Sequence, residues 1–84
     1  MTAAGPVLVN YYVKGRITEN DGTTPIPGVF VSYYTANKQY YTITGTDGSY
    51  VFDLDNNHLD GFLVTYKDLY MSTFNHLEWT DLGQ

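Results

Sequence analysis

Cysteine is absent from this 84-residue chain, and with it any disulfide that could compensate for a small core. Basic residues are scarce: four lysines and arginines stand against nine acidic residues, for a formal net charge of −5. The basic residues are scattered, so nothing can neutralise successive phosphates, and nucleic acid is not an expected partner. No apolar run reaches the length of a membrane-crossing helix. The opening residues lack the basic and apolar regions of a signal peptide, and the span from Met1 to Gln84 is expected to be a complete small gene product. Helical periodicity, internal repeats and low-complexity segments are missing as well.

The patterns of catalysis are also lacking. There is no cysteine nucleophile, no Gly-x-Ser-x-Gly elbow and no phosphate-cradling glycine loop. His76 and Glu78 are spaced to share a strand face, but a third ligand and a base to activate water are not in sight. His58 and Asp60 fall in a polar loop, and both histidines are expected to be ordinary surface groups. The expectation is therefore a non-enzyme without a cofactor. One acidic loop offers alternate oxygen side chains to a hard cation, namely Asp53, Asp55, Asn57 and Asp60. It lacks the glycine and the closing bidentate glutamate of a calcium loop, so a solvated connection is expected there.

What the chain has is alternation and turn chemistry. Residues 1–10 read as an extended N-terminal arm, held off by Gly5-Pro6, with residues 11–84 forming a single domain. In a first strand, Tyr11, Val13, Gly15 and Ile17 share the inward face, while Tyr12, Lys14, Arg16 and Thr18 point out. Asn20-Asp21-Gly22 and the prolines at 25 and 27 make a turn-rich return. Val29, Val31 and Tyr33 mark a second inward stripe, and residues 39–44 a third strand. Gly45-Thr46-Asp47-Gly48 turns the chain into a fourth strand with Tyr50, Phe52 and Leu54 on one face. Phe62, Val64 and Tyr66 read as a fifth inward stripe, and residues 69–74 and 77–82 can each carry a strand. The fold class is all-β: a small antiparallel Greek-key β-sandwich of about seven strands, with a core thin for want of length.

Val13-x-Gly15-x-Ile17, Asp21-Gly22, Pro27-Gly28-Val29-x-Val31, Thr46-Asp47-Gly48-x-Tyr50-x-Phe52 and Val64-x-Tyr66 together resemble the carboxypeptidase regulatory-like domain. The resemblance covers roughly residues 11–70 and implies a transthyretin-like sandwich. It implies little about function, because such modules accompany peptidases, outer-membrane transporters, adhesins and virion proteins alike. The family's Gly-Tyr pair after the fifth strand is replaced here by Asp68-Leu69-Tyr70, which puts that turn in question. Related adhesin sandwiches join a strand lysine to an asparagine, but Lys14, the candidate partner of Asn75, has the outward parity of its strand, which argues against a buried bond.

Nine tyrosines, four phenylalanines and one tryptophan are the chain's abundance. In the doublets Tyr11-Tyr12, Tyr33-Tyr34 and Tyr40-Tyr41, a period of two sends one ring inward and the other out. The outward rings are candidates for an aromatic protein interface made of Tyr12, Tyr34, Tyr40 and Tyr41, with Trp79 added. Asn37, Gln39 and Asp47 are the polar groups that could flank such rings if the ligand were a glycan. The expected function is a non-catalytic structural and protein-interaction module, a small subunit on a larger extracellular or virion assembly such as a phage capsid decoration or tail component, with a homo-oligomer as one form that assembly could take. The alternative is an accessory glycan- or protein-binding domain of a bacterial secreted hydrolase or outer-membrane transporter. An arm at residues 7–9 could also add to a neighbour's sheet.

Overall fold

The structure, a computed structural model, describes residues 1–9, 11–36, 38–55 and 60–78. Seven strands run through them: β1 (Thr2–Val9), β2 (Tyr12–Thr18), β3 (Phe30–Tyr34), β4 (Gln39–Ile43), β5 (Ser49–Asp53), β6 (Gly61–Tyr66) and β7 (Phe74–Leu77). They form an antiparallel sandwich of a three-stranded sheet A, ordered β1-β2-β5, and a four-stranded sheet B, ordered β4-β3-β6-β7. After the β3–β4 hairpin the chain crosses back and β5 lies beside β2, a return of the Greek-key kind.

Each sheet contributes one inward face. Val13 and Ile17 come from β2, Tyr50 and Phe52 from β5 and Leu54 just beyond it, and these meet Val31 and Tyr33 of β3 and Leu63 of β6; all are buried. Stacked rings join the two sheets, with Tyr33 and Phe52 centroids 6.2 Å apart. The inward stripes expected at 29–33 and 50–54 are as observed, while Tyr11 stands outside the β2 ladder, exposed, its carbonyl accepting the Leu54 amide at 2.9 Å. Gly15 takes the inward place between Val13 and Ile17, where an added Cβ would collide with the Tyr50 hydroxyl. The glycine makes room for that ring, whose hydroxyl is buried and has no hydrogen-bond partner among the described residues.

The segment expected as a free arm is extended, but it belongs to this domain. Thr2–Val9 pairs with β2, and the register shifts between Ala4 and Val7, where Gly5-Pro6 interrupts the ladder. Val7 and Val9 thereby satisfy backbone groups on their own sheet.

The parity of β6 is the reverse of the expectation. Gly61, Leu63 and Thr65 are buried, whereas Phe62 and Tyr66 are exposed. The cause is pairing: Leu63 lies opposite Tyr33 and Thr65 opposite Val31, and residues directly opposite on paired strands share a face. Both faces of β6 are apolar enough that alternation alone does not decide between them. Thr65 is tolerated in the core because its hydroxyl meets that of Thr73 at 2.7 Å and accepts the Thr73 amide at 2.9 Å.

No strand spans residues 69–74. Leu69 instead occupies a tight turn closed by the Tyr70 amide on the Lys67 carbonyl at 3.1 Å, and strand pairing resumes at Phe74. Its φ of 74° is left-handed, a region costly for a residue with a Cβ, so the turn is held under strain. Leu69→Gly is expected to raise stability by about 0.5–1 kcal/mol, since relief of strain exceeds the extra chain entropy of glycine. Urea unfolding would show it as a higher midpoint.

Asp21 organises the β2–β3 loop through its carboxylate. Oδ1 accepts the amides of Thr23 and Thr24, both at 2.9 Å, and Oδ2 accepts the Thr24 hydroxyl at 2.5 Å. The Thr24 hydroxyl and these amides favour the charged form and lower its pKa from 3.8 to about 2. A lowered folded-state value means that the contribution is whole above pH 3.8 and is lost as pH falls toward 2. The thermal midpoint of Asp21→Ala is therefore expected to fall less steeply than that of the parent chain between pH 4 and pH 2. Parallel slopes in melting curves across that range would contradict this.

Candidate functional site: the outer face of sheet B

Because β3 turns Val31 and Tyr33 inward, Phe30, Ser32 and Tyr34 point out. The ladders then lay out the rest of the face. Phe30 lies between Ile43 and Tyr66, Ser32 between Tyr41 and Val64, and Tyr34 between Gln39 and Phe62. On the far side Phe74 stands opposite Val64 and His76 opposite Phe62. Phe30 stacks on Tyr41 with centroids 5.6 Å apart and planes 16° from parallel. Phe62 contacts Phe74 at 5.1 Å and His76 at 4.9 Å.

These rings cover one another and still remain open to solvent. Tyr41 is 65% exposed, Phe74 69%, Ile43 60% and Tyr66 58%, with Phe30, Tyr34 and Phe62 each near two-fifths. At about 150–250 Å² for a large side chain, the exposed fractions amount to a mostly apolar surface, phenol hydroxyls included, on the order of 750 Å². The largest patch on a typical soluble monomer is about 300–600 Å². Ser32, small and buried in the middle, leaves the surrounding rings standing higher than the floor.

The electrostatics of the face are equally one-sided. The strands of sheet B contain no aspartate, glutamate, lysine or arginine, in a chain of net charge −5. Charge is confined to the rim. Lys38 pairs with Asp55 at 2.8 Å and lies over the Tyr40 ring, 4.7 Å from its centroid. Tyr66 donates to Asp68 at 2.6 Å, a bond that raises the pKa of its phenol. His76 Nδ1 is 3.4 Å from Glu78 at the end of β7. An apolar, charge-free centre with a polar rim is the anatomy of a protein interface core.

The expected interface residues divide over the molecule. Tyr34 and Tyr41 belong to the face just described. Tyr40 takes the opposite parity on β4, is half-buried, and places its hydroxyl 3.4 Å from Asp55. Tyr12 lies on sheet A, opposite Asp53 in the β2–β5 ladder, on a strand that also carries Lys14 and Arg16. It cannot act with Tyr34 and Tyr41 in one contact with a flat partner. Trp79 lies outside the described residues. Sequence reading missed Phe30, Ile43, Phe62, Tyr66 and Phe74, and the signal that could have found them is the absence of any charge from the four segments that became sheet B.

The other candidates are not assembled into sites. Asp53 Oδ1 accepts the Asp55 amide at 2.9 Å, and the Asp55 carboxylate is held by Lys38. Asp60 is exposed at the start of β6, and Asn57 and His58 lie outside the described residues. Among the described residues no three histidine, aspartate or glutamate side chains converge to hold a metal ion. Lys14 is exposed on sheet A while Asn75 is on β7 of sheet B, which separates the two partners of the lysine–asparagine bond. Gln39 opens β4 whereas Asp47 lies in the turn between β4 and β5, occupied with the Ser49 amide at 3.0 Å and hydroxyl at 2.6 Å, and Asn37 lies outside the described residues. No helix among the described residues is long and apolar enough to cross a membrane.

No family model, no curated protein and no solved structure matches this chain.

Proposed function

We propose that this chain is a non-catalytic structural module that docks, through the outer face of sheet B, onto a larger protein in an extracellular or virion assembly such as a phage capsid decoration or tail component. The observation that carries the reading is the charge-free aromatic face, whose extent approaches the roughly 800 Å² that each partner contributes to a standard protein interface. Aromatic rings of this kind dominate interface energetics when a partner desolvates them. Kinship with the carboxypeptidase regulatory-like domain is part of the same proposal and is compatible with an appended docking role. The accessory glycan-binding alternative is supported less well, since the polar groups that would flank the rings are dispersed.

Photo-crosslinking tests the reading. A benzophenone side chain replacing Tyr41, introduced in the native source, is expected to capture a much larger protein that sediments in dense particles at a fixed ratio to this chain. The same group replacing Val51, exposed on sheet A, serves as the control. Equal capture from both positions, or no particle-associated product from position 41, would sink the docking role of the face.

A further inference from the structure

A sheet edge exposes unpaired amides and carbonyls, and natural edges are normally protected by bulges, charge, proline or brevity. Among the described residues the two sheets leave four edges without a paired strand, and three of them show such a device. β1 carries the Gly5-Pro6 interruption. β5 ends in Asp53 and runs toward Asp55, and β7 is four residues long. The fourth edge, β4, reads Gln-Tyr-Tyr-Thr-Ile, without proline, bulge or formal charge.

The direction of its free groups follows from the β3–β4 ladder. The Thr35 amide donates to the Lys38 carbonyl at 2.9 Å and the Thr44 amide to the Val29 carbonyl at 3.0 Å. These fix the hydrogen-bonded pairs, so Tyr40 and Thr42 direct their backbone groups to β3, while Gln39, Tyr41 and Ile43 direct theirs to the open edge. We propose that β4 is a homodimerisation edge: two copies of this chain pair antiparallel through β4, with Tyr41 opposite its counterpart and Gln39 opposite Ile43, making one continuous eight-stranded sheet.

The partner is a second copy because β4 complements itself. At a net charge of −5 two copies repel, but β4 is neutral and its nearest cation, Lys38, is already paired with Asp55. The register sets the exposed Tyr41 rings side by side across the two-fold axis, an aromatic cross-strand pair. Such a contact is isologous, uses up both edges and closes at two copies rather than growing into a fibre. It leaves the outer faces of both B sheets open and places them side by side, so dimerisation and docking of a larger partner are separable.

Amide hydrogen exchange and sedimentation equilibrium on the unmodified chain, across concentrations from micromolar to about 1 mM, test this directly. The amides of Gln39, Tyr41 and Ile43 are expected to become protected as concentration rises, in step with dimer formation, while those of Tyr40 and Thr42 are protected throughout. Tyr41→Pro deletes an outward amide without touching the β3 ladder and is expected to weaken the dimer about tenfold to a hundredfold, because the two-fold axis doubles the loss. Tyr41→Thr keeps that amide and should stay within about fivefold of the parent. A chain that remains monomeric at 1 mM, or one that associates without protecting those three amides, would overturn the proposal while leaving docking through the face untouched. Equal weakening by the proline and threonine substitutions would also overturn it.

Discussion

Gly48→Ala is expected to destabilise the domain by about 2–5 kcal/mol, combining the cost of a left-handed residue with a Cβ and that of overpacking. Gly48 has φ 75° and closes the β4–β5 turn, its amide donating to the Gly45 carbonyl at 2.9 Å. It is also the point where the turn is knitted to β2, because its carbonyl accepts the Ile17 amide at 2.8 Å. The Ile17 carbonyl in turn accepts the Ile26 amide at 3.0 Å, so the backbone of three segments converges on one small volume. A Cβ at Gly48 would collide with that Ile17 carbonyl oxygen and press on the Ile26 nitrogen and Pro25 at 3.2 Å. These are backbone and ring atoms that cannot swing aside. Gly22 provides the comparison, since its φ is 78° but nothing lies within 4 Å of its missing Cβ. Gly22→Ala should therefore cost only the backbone strain, about 1–2 kcal/mol. At roughly 4–8 °C per kcal/mol for a domain of this size, the thermal midpoints of the two variants should differ visibly. Equal midpoints would mean that the convergence at Gly48 contributes nothing.

The sequence announced positions like Gly48 clearly because turn chemistry is local. Asp47-Gly48 and Asp21-Gly22 are readable from the residues themselves, and so are the inward stripes of β3 and β5, each of which alternates between apolar and polar or exposed positions. Long-range pairing was legible only in part. The β1 segment contains Gly5-Pro6, which reads as a break, yet a register shift absorbs the interruption and the ladder continues on both sides of it. For β6 the two parities carry Phe62, Val64 and Tyr66 against Gly61, Leu63 and Thr65, and the larger side chains suggest the wrong face. What decides is the partner strand, with Tyr33 and Val31 holding Leu63 and Thr65 inward, and that information lies 30 and 34 residues away in the chain.

The candidate site suffered from the same non-locality. Each tyrosine doublet showed that one ring would face out, but whether the outward rings share a surface depends on which sheet each strand joins. Tyr34 and Tyr41 share a face because β3 and β4 form a hairpin, while Tyr12 is carried to the other side of the sandwich by the crossing from β2 to β3. The face became complete only with Phe62 and Phe74, whose outward parity follows from the β6 pairing. A charge census taken by segment would have come closer, since solvated faces ordinarily carry charge and sheet B carries none.

Adjacent tyrosines on β3 give the strongest contrast between fold and function. Tyr33→Ala is expected to cost about 3–5 kcal/mol, because the ring is fully buried, packs against Phe52 at 6.2 Å and would leave a cavity between the sheets. A domain of 84 residues holds about 4–13 kcal/mol in all, so this variant gives up a large share of it, and its thermal midpoint should fall by roughly 12–40 °C. Gly61 stands against the Tyr33 ring and the Tyr34 carbonyl, and it has no side chain that could move into the space the ring leaves. Tyr34, one residue on, is 43% exposed among Phe62 and Gln39 on the outer face. Tyr34→Ala should lower stability by no more than about 1 kcal/mol, the worth of a cross-strand pair. If the outer face docks on a larger protein as proposed, this variant should nevertheless weaken that docking by tenfold or more, as loss of an aromatic anchor does at an interface. Chemical denaturation of both variants alongside particle association of Tyr34→Ala separates the two roles. Were Tyr34→Ala to unfold as readily as Tyr33→Ala, the outer rings would be holding the sheet together rather than waiting for a partner. Were it to fold and still associate at full strength, the face would not be where the assembly is held.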